Sequence, residues 1–233
     1  MDHLVSEILR GQNLTCIRGD KVIFCDLSFD VPPGRALILN GANGSGKSSL
    51  MKIISGLLPA QNGEIFYGSP KDADQNILGD KDWISRNICY LAHKNGLKPE
   101  MTVAENLKFW ANMEHHEGDI RTEAEKIGVD HCLDLPVCYL SSGQARRAAL
   151  TRVLCHPGRI WLLDEPTVGL DVIGVELLCG LMNDHLTRGG SILAATHIQL
   201  GIDADKSTLL NMSDFSYSAS SRLKDDQEES LLC

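Results

Sequence analysis

With 233 residues and 43% hydrophobic content, the chain is long enough to bury a full α/β core, and one large domain is expected rather than two small ones. A formal net charge of −9 argues against a nucleic-acid backbone as the main partner, because that role needs clustered Lys and Arg. No apolar run approaches a membrane span, and Met1-Asp2-His3-Leu4 lacks the basic and apolar regions of a secretory signal. A cytoplasmic protein is therefore expected, with any membrane attachment made through a protein partner.

The 8 cysteines include no C-x-x-C pair, so they read as reduced, small core residues. From Ile8 to Val31 the pattern is short and β-like, broken at Arg18-Gly19-Asp20 and closed by Pro32-Pro33-Gly34, which predicts a small antiparallel sheet. The apolar run Ala36-Leu37-Ile38-Leu39 then reads as a strand. It is followed by Gly41-Ala42-Asn43-Gly44-Ser45-Gly46-Lys47-Ser48 and by a helical segment from Ser49 to Gly56. The spacing G-x-x-x-x-G-K-S between strand and helix is a P-loop. Its glycines let the backbone wrap around phosphates, with successive N–H groups and the helix N-terminus aimed at the oxygens. Lys47 is placed to reach the β- and γ-phosphates, and the Ser48 hydroxyl to bind Mg²⁺.

Gly63–Gly68 reads as another short strand, Ser69–Asp82 as surface loop, and Asn87–Ala92 as a strand that delivers His93. Thr102 and Glu105 form a capping box for a helix carrying Leu107, Phe109, Trp110 and Met113. Leu97 and Met101, around the turn after His93, are candidates for docking a partner helix, whereas Leu107 and Trp110 read as core. Ser141 and Gln144 form a second capping box, opening a helix with Ala145, Ala149 and Val153 on one stripe. That helix is expected to stop at Cys155-His156-Pro157, a reading preferred over a haem or metal ligand for this triplet.

Arg159–Pro166 is a buried strand ending in two carboxylates. Asp164 takes the Mg²⁺ side, and Glu165, facing the γ-phosphate, can orient or deprotonate the attacking water. Val168–Asp171 is a turn, Val172–Thr187 an amphipathic helix, and Ile192–Ala195 a buried strand that releases Thr196-His197 at the same sheet edge. Ser207–Asn211 adds a last strand. From Ser213 onward five acids stand against two basic residues in a serine-rich stretch, so residues 213–233 are expected to be a disordered tail beyond a domain of residues 1–212.

Taken together, Gly41–Ser48, Leu140–Gln144, Leu163–Pro166, Asp171 and His197 resemble the ATP-binding cassette (ABC) ATPases. The resemblance implies an α/β P-loop fold: a RecA-like parallel-sheet core, an antiparallel β subdomain and a helical insert at about residues 94–157. It further implies ATP and Mg²⁺ as ligands, with Gly41 to Ser49 around the nucleotide, Ser48 and Asp164 at the metal, and Lys47, Glu165 and His197 in catalysis. A head-to-tail homodimer is implied as well, each ATP lying between one P-loop and the Ser141, Ser142, Gly143 and Gln144 of the other subunit.

Three departures narrow the resemblance. His93 stands where most of the family has a glutamine, Ser142 replaces the second signature glycine, and Arg18 takes the place of the adenine-stacking aromatic. An imidazole is a poorer Mg²⁺ ligand than an amide oxygen, while a guanidinium can still stack on adenine. The run Tyr90-Leu91-Ala92-His93-Lys94-Asn95-Gly96-Leu97-Lys98 is similar to the ATP-binding subunit of the cytochrome c maturation system, the haem exporter ATPase. That similarity implies integral membrane partners, a peripheral place on the cytoplasmic face of the inner membrane, and ATP hydrolysis that drives haem export or release of a haem-loaded chaperone. Two other readings compete. The residues around His93 weigh against a drug or lipid exporter, and the signature between P-loop and Asp164 weighs against a soluble kinase or GTPase.

Overall fold

In a computed structural model, residues 7–69, 75–113, 118–196, 198 and 200–216 are described. The chain opens with β1 (Ile8–Arg18) and β2 (Lys21–Val31), paired antiparallel across the Gly19 turn. After β3 (Ala36–Asn40), α1 (Lys47–Ile54) and β4 (Asn62–Gly68), the strand β5 (Gln75–Asn76) completes a sheet ordered β2-β1-β4-β5.

Part of the expected 69–82 loop is therefore ordered structure, and a helix α2 (Lys81–Asn87) takes residues that read as loop and strand. Asp80 caps α2 by accepting from the Trp83 N–H at 3.0 Å, and Ile84 anchors it in the core. The helix spans only two turns, too short for a periodicity to show in the sequence.

A parallel sheet follows from β6 (Ile88–Leu91), with helices α3 (Val103–Met113), α4 (Ile120–Lys126) and α5 (Ser142–Cys155) inserted before β7 (Ile160–Asp164). Helix α6 (Val172–Thr187), β8 (Ser191–Ala195) and β9 (Ser207–Asn211) complete it in the order β6-β7-β8-β3-β9. Every residue of β7 and β8 is buried, because the sheet is covered on both faces. Ile160 and Leu162 face one core with Leu50, Ile53 and Phe24, under the antiparallel sheet and α1. Trp161 and Leu163 face the other, with Val103, Leu107, Leu150 and Leu178 from the helices.

Leu107 belongs to this second core, and Leu97 packs partly against it, so Leu97 is less available for docking than its position suggested. The exposed apolar residues of α3 are instead Phe109 and Met113. Buried Asn106 holds the preceding turn, accepting from the Lys98 N–H at 2.8 Å and donating to the Thr102 carbonyl at 3.0 Å.

Helix α5 ends at Cys155, as the Pro157 stop predicts, and the His156 ring locks the exit. Its Nδ1 accepts from the Gly158 N–H at 2.9 Å, which leaves Nε2 to donate to the Ser85 carbonyl at 3.1 Å. Burial pushes this imidazole down to about 4, against the opposing pull of the Ser85 carbonyl. The ring is thus neutral when folded but protonated in the unfolded chain below about pH 6.5. Its contribution is full above that pH and is lost as pH falls toward 4, at up to about 1.4 kcal/mol per pH unit. Urea unfolding midpoints at pH 7 and pH 5 test this. His156→Gln should lose on the order of 2 kcal/mol less stability than wild type between these two pH values. His185, also pushed down by burial, titrates in both proteins and cancels from the comparison.

Candidate functional site

Two buried strands deliver the site's chemistry to one edge of the sheet. β3 runs into the glycine loop and α1, and β7 ends in Asp164 and Glu165. Gly46, the residue before α1, has φ +104°, and a Cβ there would meet Ile23 and Phe24 side chains at 2.8 and 2.9 Å. Only glycine meets both constraints, and the helix can begin with its N–H groups free toward the loop's hollow.

Lys47 is buried, and its Nζ donates to the Gly41 and Ala42 carbonyls at 2.6 and 3.1 Å. These two bonds hold the side-chain nitrogen beside the hollow instead of letting it extend into solvent. Ser45 Oγ is buried with no hydrogen-bond partner, an orphaned polar atom in a loop built for anions.

One cleft of about 700 Å³ gathers most of the residues singled out by sequence. The loop from Asn43 through Ser49 forms its floor. Arg18 and Ile23 of the antiparallel sheet form one side, and His93, Asp164, Glu165 and Val168 the other. Gly41 and Ala42 belong to the same loop through their bonds to Lys47. Ser141, Ser142, Gly143 and Gln144 do not line this cleft. Ser141 caps α5 by accepting from the Gln144 N–H at 3.2 Å, and the Gln144 Oε1 accepts from the Ser141 N–H at 2.9 Å. A Cβ at Gly143 would meet the Gly169 carbonyl at 2.8 Å, so the signature lies tight against the turn before Asp171. Asp171 caps α6 through the Gly174 N–H and pairs with Arg147, which together hold its carboxyl below the usual range. His197 lies outside the described residues; its neighbour Thr196 is buried at the end of β8.

The carboxylates differ in setting. Asp164 is buried and accepts from the Tyr90 hydroxyl at 3.4 Å; burial first, and the Asp164 charge second, hold that hydroxyl protonated well above its ordinary pKa. Glu165 has φ +50°, a left-handed backbone that costs a non-glycine residue roughly 1–3 kcal/mol and that clusters at functional positions. Its N–H donates to the Ala195 carbonyl at 2.9 Å.

The oxygens of Ser48 and Asp164 are hard donors suited to Mg²⁺, which typically takes one or two protein ligands with phosphates and waters completing the octahedron. Among the described residues there is no group of three or more His, Cys, Asp or Glu placed to hold a metal ion.

Tyr90 and Arg146 are the two participants that sequence reasoning did not place. Arg146 was legible as a charge on the α5 stripe shared with Ala149 and Val153, a position that demands buried acceptors. It is buried, and burial lowers its pKa while the Asp164 and Glu165 carboxylates oppose that shift.

Comparison with known proteins places this arrangement. The family model described as ABC transporter matches residues 24–168. A putative ABC transporter ATP-binding protein from Pyrococcus furiosus superposes with a TM-score of 0.74 at 22% identity, covering 90% of this chain and 100% of that one. A structure described as the ATP binding subunit of an ABC transporter gives 0.75 at 22% identity, over 88% and 86% of the two chains. At that identity the likeness establishes the fold, here the ABC ATPase fold. Curated relatives are closer. The chain is 44% identical over 198 residues to the cytochrome c biogenesis ATP-binding export protein CcmA of Bradyrhizobium diazoefficiens, spanning 84% of this chain and 94% of that protein. It is 43% identical, with the same coverage, to CcmA of Rhodopseudomonas palustris, and 40% identical to CcmA of Rhizobium etli, over 83% and 90% of the two chains. The chain belongs to the ABC transporter ATP-binding family and, within it, to the group formed by the CcmA proteins.

Lys47→Ala removes the one positive charge buried beside the loop and should weaken binding of a fluorescent ATP analogue by roughly 10²-fold, the scale of a lost charge-assisted contact. An affinity within twofold of wild type would remove this lysine from the phosphate site.

Proposed function

We propose that the chain is the ATP-hydrolysing subunit of a membrane ABC complex for cytochrome c biogenesis, driving haem export or release of a haem-loaded chaperone. The observation that carries this reading is the single cleft holding the glycine loop, Asp164 and Glu165, in a chain 44% identical to a CcmA. No described helix is long and apolar enough to cross a membrane, so the membrane-embedded part of such a complex falls to partner subunits.

The residues divide the work by position. Lys47 and the N–H groups at the start of α1 bind and orient the β- and γ-phosphates, and Arg18 stacks beside the base. Ser48 and Asp164 would hold Mg²⁺, which would supply charge neutralisation at the phosphate oxygens. Glu165 accepts a proton from water as that water attacks the γ-phosphorus, the bond to the β–γ bridging oxygen breaks and ADP leaves with that electron pair, and His197, the residue after Thr196, holds the γ-phosphate. His93 borders the γ side of the cleft, where an imidazole Nε2 or Nδ1 serves as a hydrogen-bond partner to water better than as a metal ligand. Because Ser141–Gly143 lie outside the cleft of their own chain, a second subunit arranged head to tail supplies them to it.

A deletion strain provides the first test. It should lose haem attachment to cytochrome c, recover with the wild-type gene, and fail with Glu165→Gln, whose protein binds ATP but hydrolyses it roughly 10²–10⁴-fold more slowly. Normal cytochrome c in the deletion strain would refute the biological assignment; near-wild-type turnover of Glu165→Gln would refute the chemical one.

The head-to-tail arrangement has its own test. A mixed dimer of Lys47→Ala and Ser141→Arg subunits places both lesions at one nucleotide site and leaves the other intact. It should dimerise with ATP as measured by light scattering, whereas neither homodimer does; equal inactivity of all three would rule the arrangement out.

A further inference from the structure

The guanidinium of Arg146 is buried where three segments meet, and it has a partner for each of its five N–H donors. Nη2 donates to the carbonyls of Asp164 at 2.9 Å and Glu165 at 2.7 Å, and Nε to that of Pro166 at 3.3 Å. Nη1 donates to the Ala92 carbonyl and to Asn95 Oδ1, both at 3.0 Å, with the His93 carbonyl at 3.5 Å. Three successive carbonyls at the end of β7 therefore turn toward one side chain on α5. In the middle of them, Glu165 holds its left-handed φ of +50°.

With its carbonyl bonded to Arg146 and its N–H bonded to the Ala195 carbonyl, Glu165 has both peptide groups fixed, and so the direction of its Cα–Cβ bond is fixed too. The same guanidinium fixes the backbone on either side of His93. Its carrier, α5, begins at the Ser141 cap only five residues earlier, so the signature and the carboxylate are joined through one rigid helix turn and one planar fork.

We propose that Arg146 is a positioning residue for hydrolysis: it sets the backbone geometry of Glu165 and His93 from the helix that carries the signature. The proposal rests on Glu165 acting as the base. A lysine cannot replace the arginine here, because its ammonium has three donors on a tetrahedral nitrogen and cannot span six acceptors arranged around a planar fork. The cleft's phosphate-binding floor, made by the loop and α1, touches none of these bonds, so nucleotide binding and turnover should respond separately.

In the purified full chain, Arg146→Lys should bind a fluorescent ATP analogue within about threefold of wild type and leave KM little changed. Its kcat should fall roughly 10²-fold, the scale of a catalytic group displaced by a fraction of an ångström to an ångström. Groups that act as one unit are not additive, so adding Arg146→Lys to Glu165→Gln should lower the residual single-turnover hydrolysis no further. Asn95→Ala, at a half-exposed position, removes one acceptor while sparing the fold; a roughly tenfold lower kcat is expected from a single lost hydrogen bond of a charged guanidinium. It decides the matter should Arg146→Lys fail to fold. Wild-type kcat in either variant, with Glu165→Gln inactive, overturns the positioning role and leaves the base assignment standing. Multiplicative losses in the double variant also overturn it, since a merely structural arginine would give that result. Turnover by Glu165→Gln itself would overturn the base assignment, and this inference with it.

Discussion

Burial of the parallel sheet on both faces is the constraint from which the rest follows. β7 and β8 carry no exposed residue, and their side chains alternate between two cores. Such strands can display chemistry only where they end. The first polar groups after the apolar runs, Asn40, Asp164 and Thr196, fall in neighbouring strands at the carboxyl edge, and the glycine loop emerges beside them. The cleft is thus a consequence of where three apolar strands run out side by side.

That edge also explains why buried charge is tolerated there. Lys47 and Arg146 both sit among carbonyl oxygens, which partly replace the water that each cation gives up. The two cations serve different neighbours. Lys47 caps the carbonyls of its own loop and remains beside the hollow, whereas Arg146 spends every donor on backbone and on Asn95. One is poised for a ligand and the other is committed to geometry.

Helices α3 to α5 do not form a separate core. Leu107 and Val103 of α3 and Leu150 of α5 share one cluster with Trp161 and Leu163 of the sheet. A displacement of the helices therefore reaches the sheet edge through packed side chains as well as through Arg146. Gly143 adds a third connection, because its missing Cβ lets α5 close onto the Gly169 turn that leads to Asp171 and α6. The head of α5 is consequently held by the same two segments that border the cleft, and ABC ATPase family membership gives that arrangement its setting.

Much of this was legible in the chain before any coordinates. Glycine spacing, the two capping boxes, the Pro157 stop and the all-apolar runs are local signals, because each depends on residues within a turn or a strand of one another. They were sufficient for the loop before α1, for α3, α5 and α6, for the buried strands, and for listing Lys47, Ser48, Asp164 and Glu165 as a set. Helix α2 escaped because two turns carry too little periodicity, and β5 because two residues form a strand only beside β4. The partial burial of Leu97 was hidden for a related reason: it depends on a core assembled from residues far along the chain. Arg146 and Tyr90 could be seen in the sequence but not given roles, since their partners are carbonyls and a carboxylate 18 to 74 positions away. Spacing along a chain reports what a residue does to its neighbours; long-range hydrogen bonds and shared cores exist only after the sheet has brought distant segments to one edge.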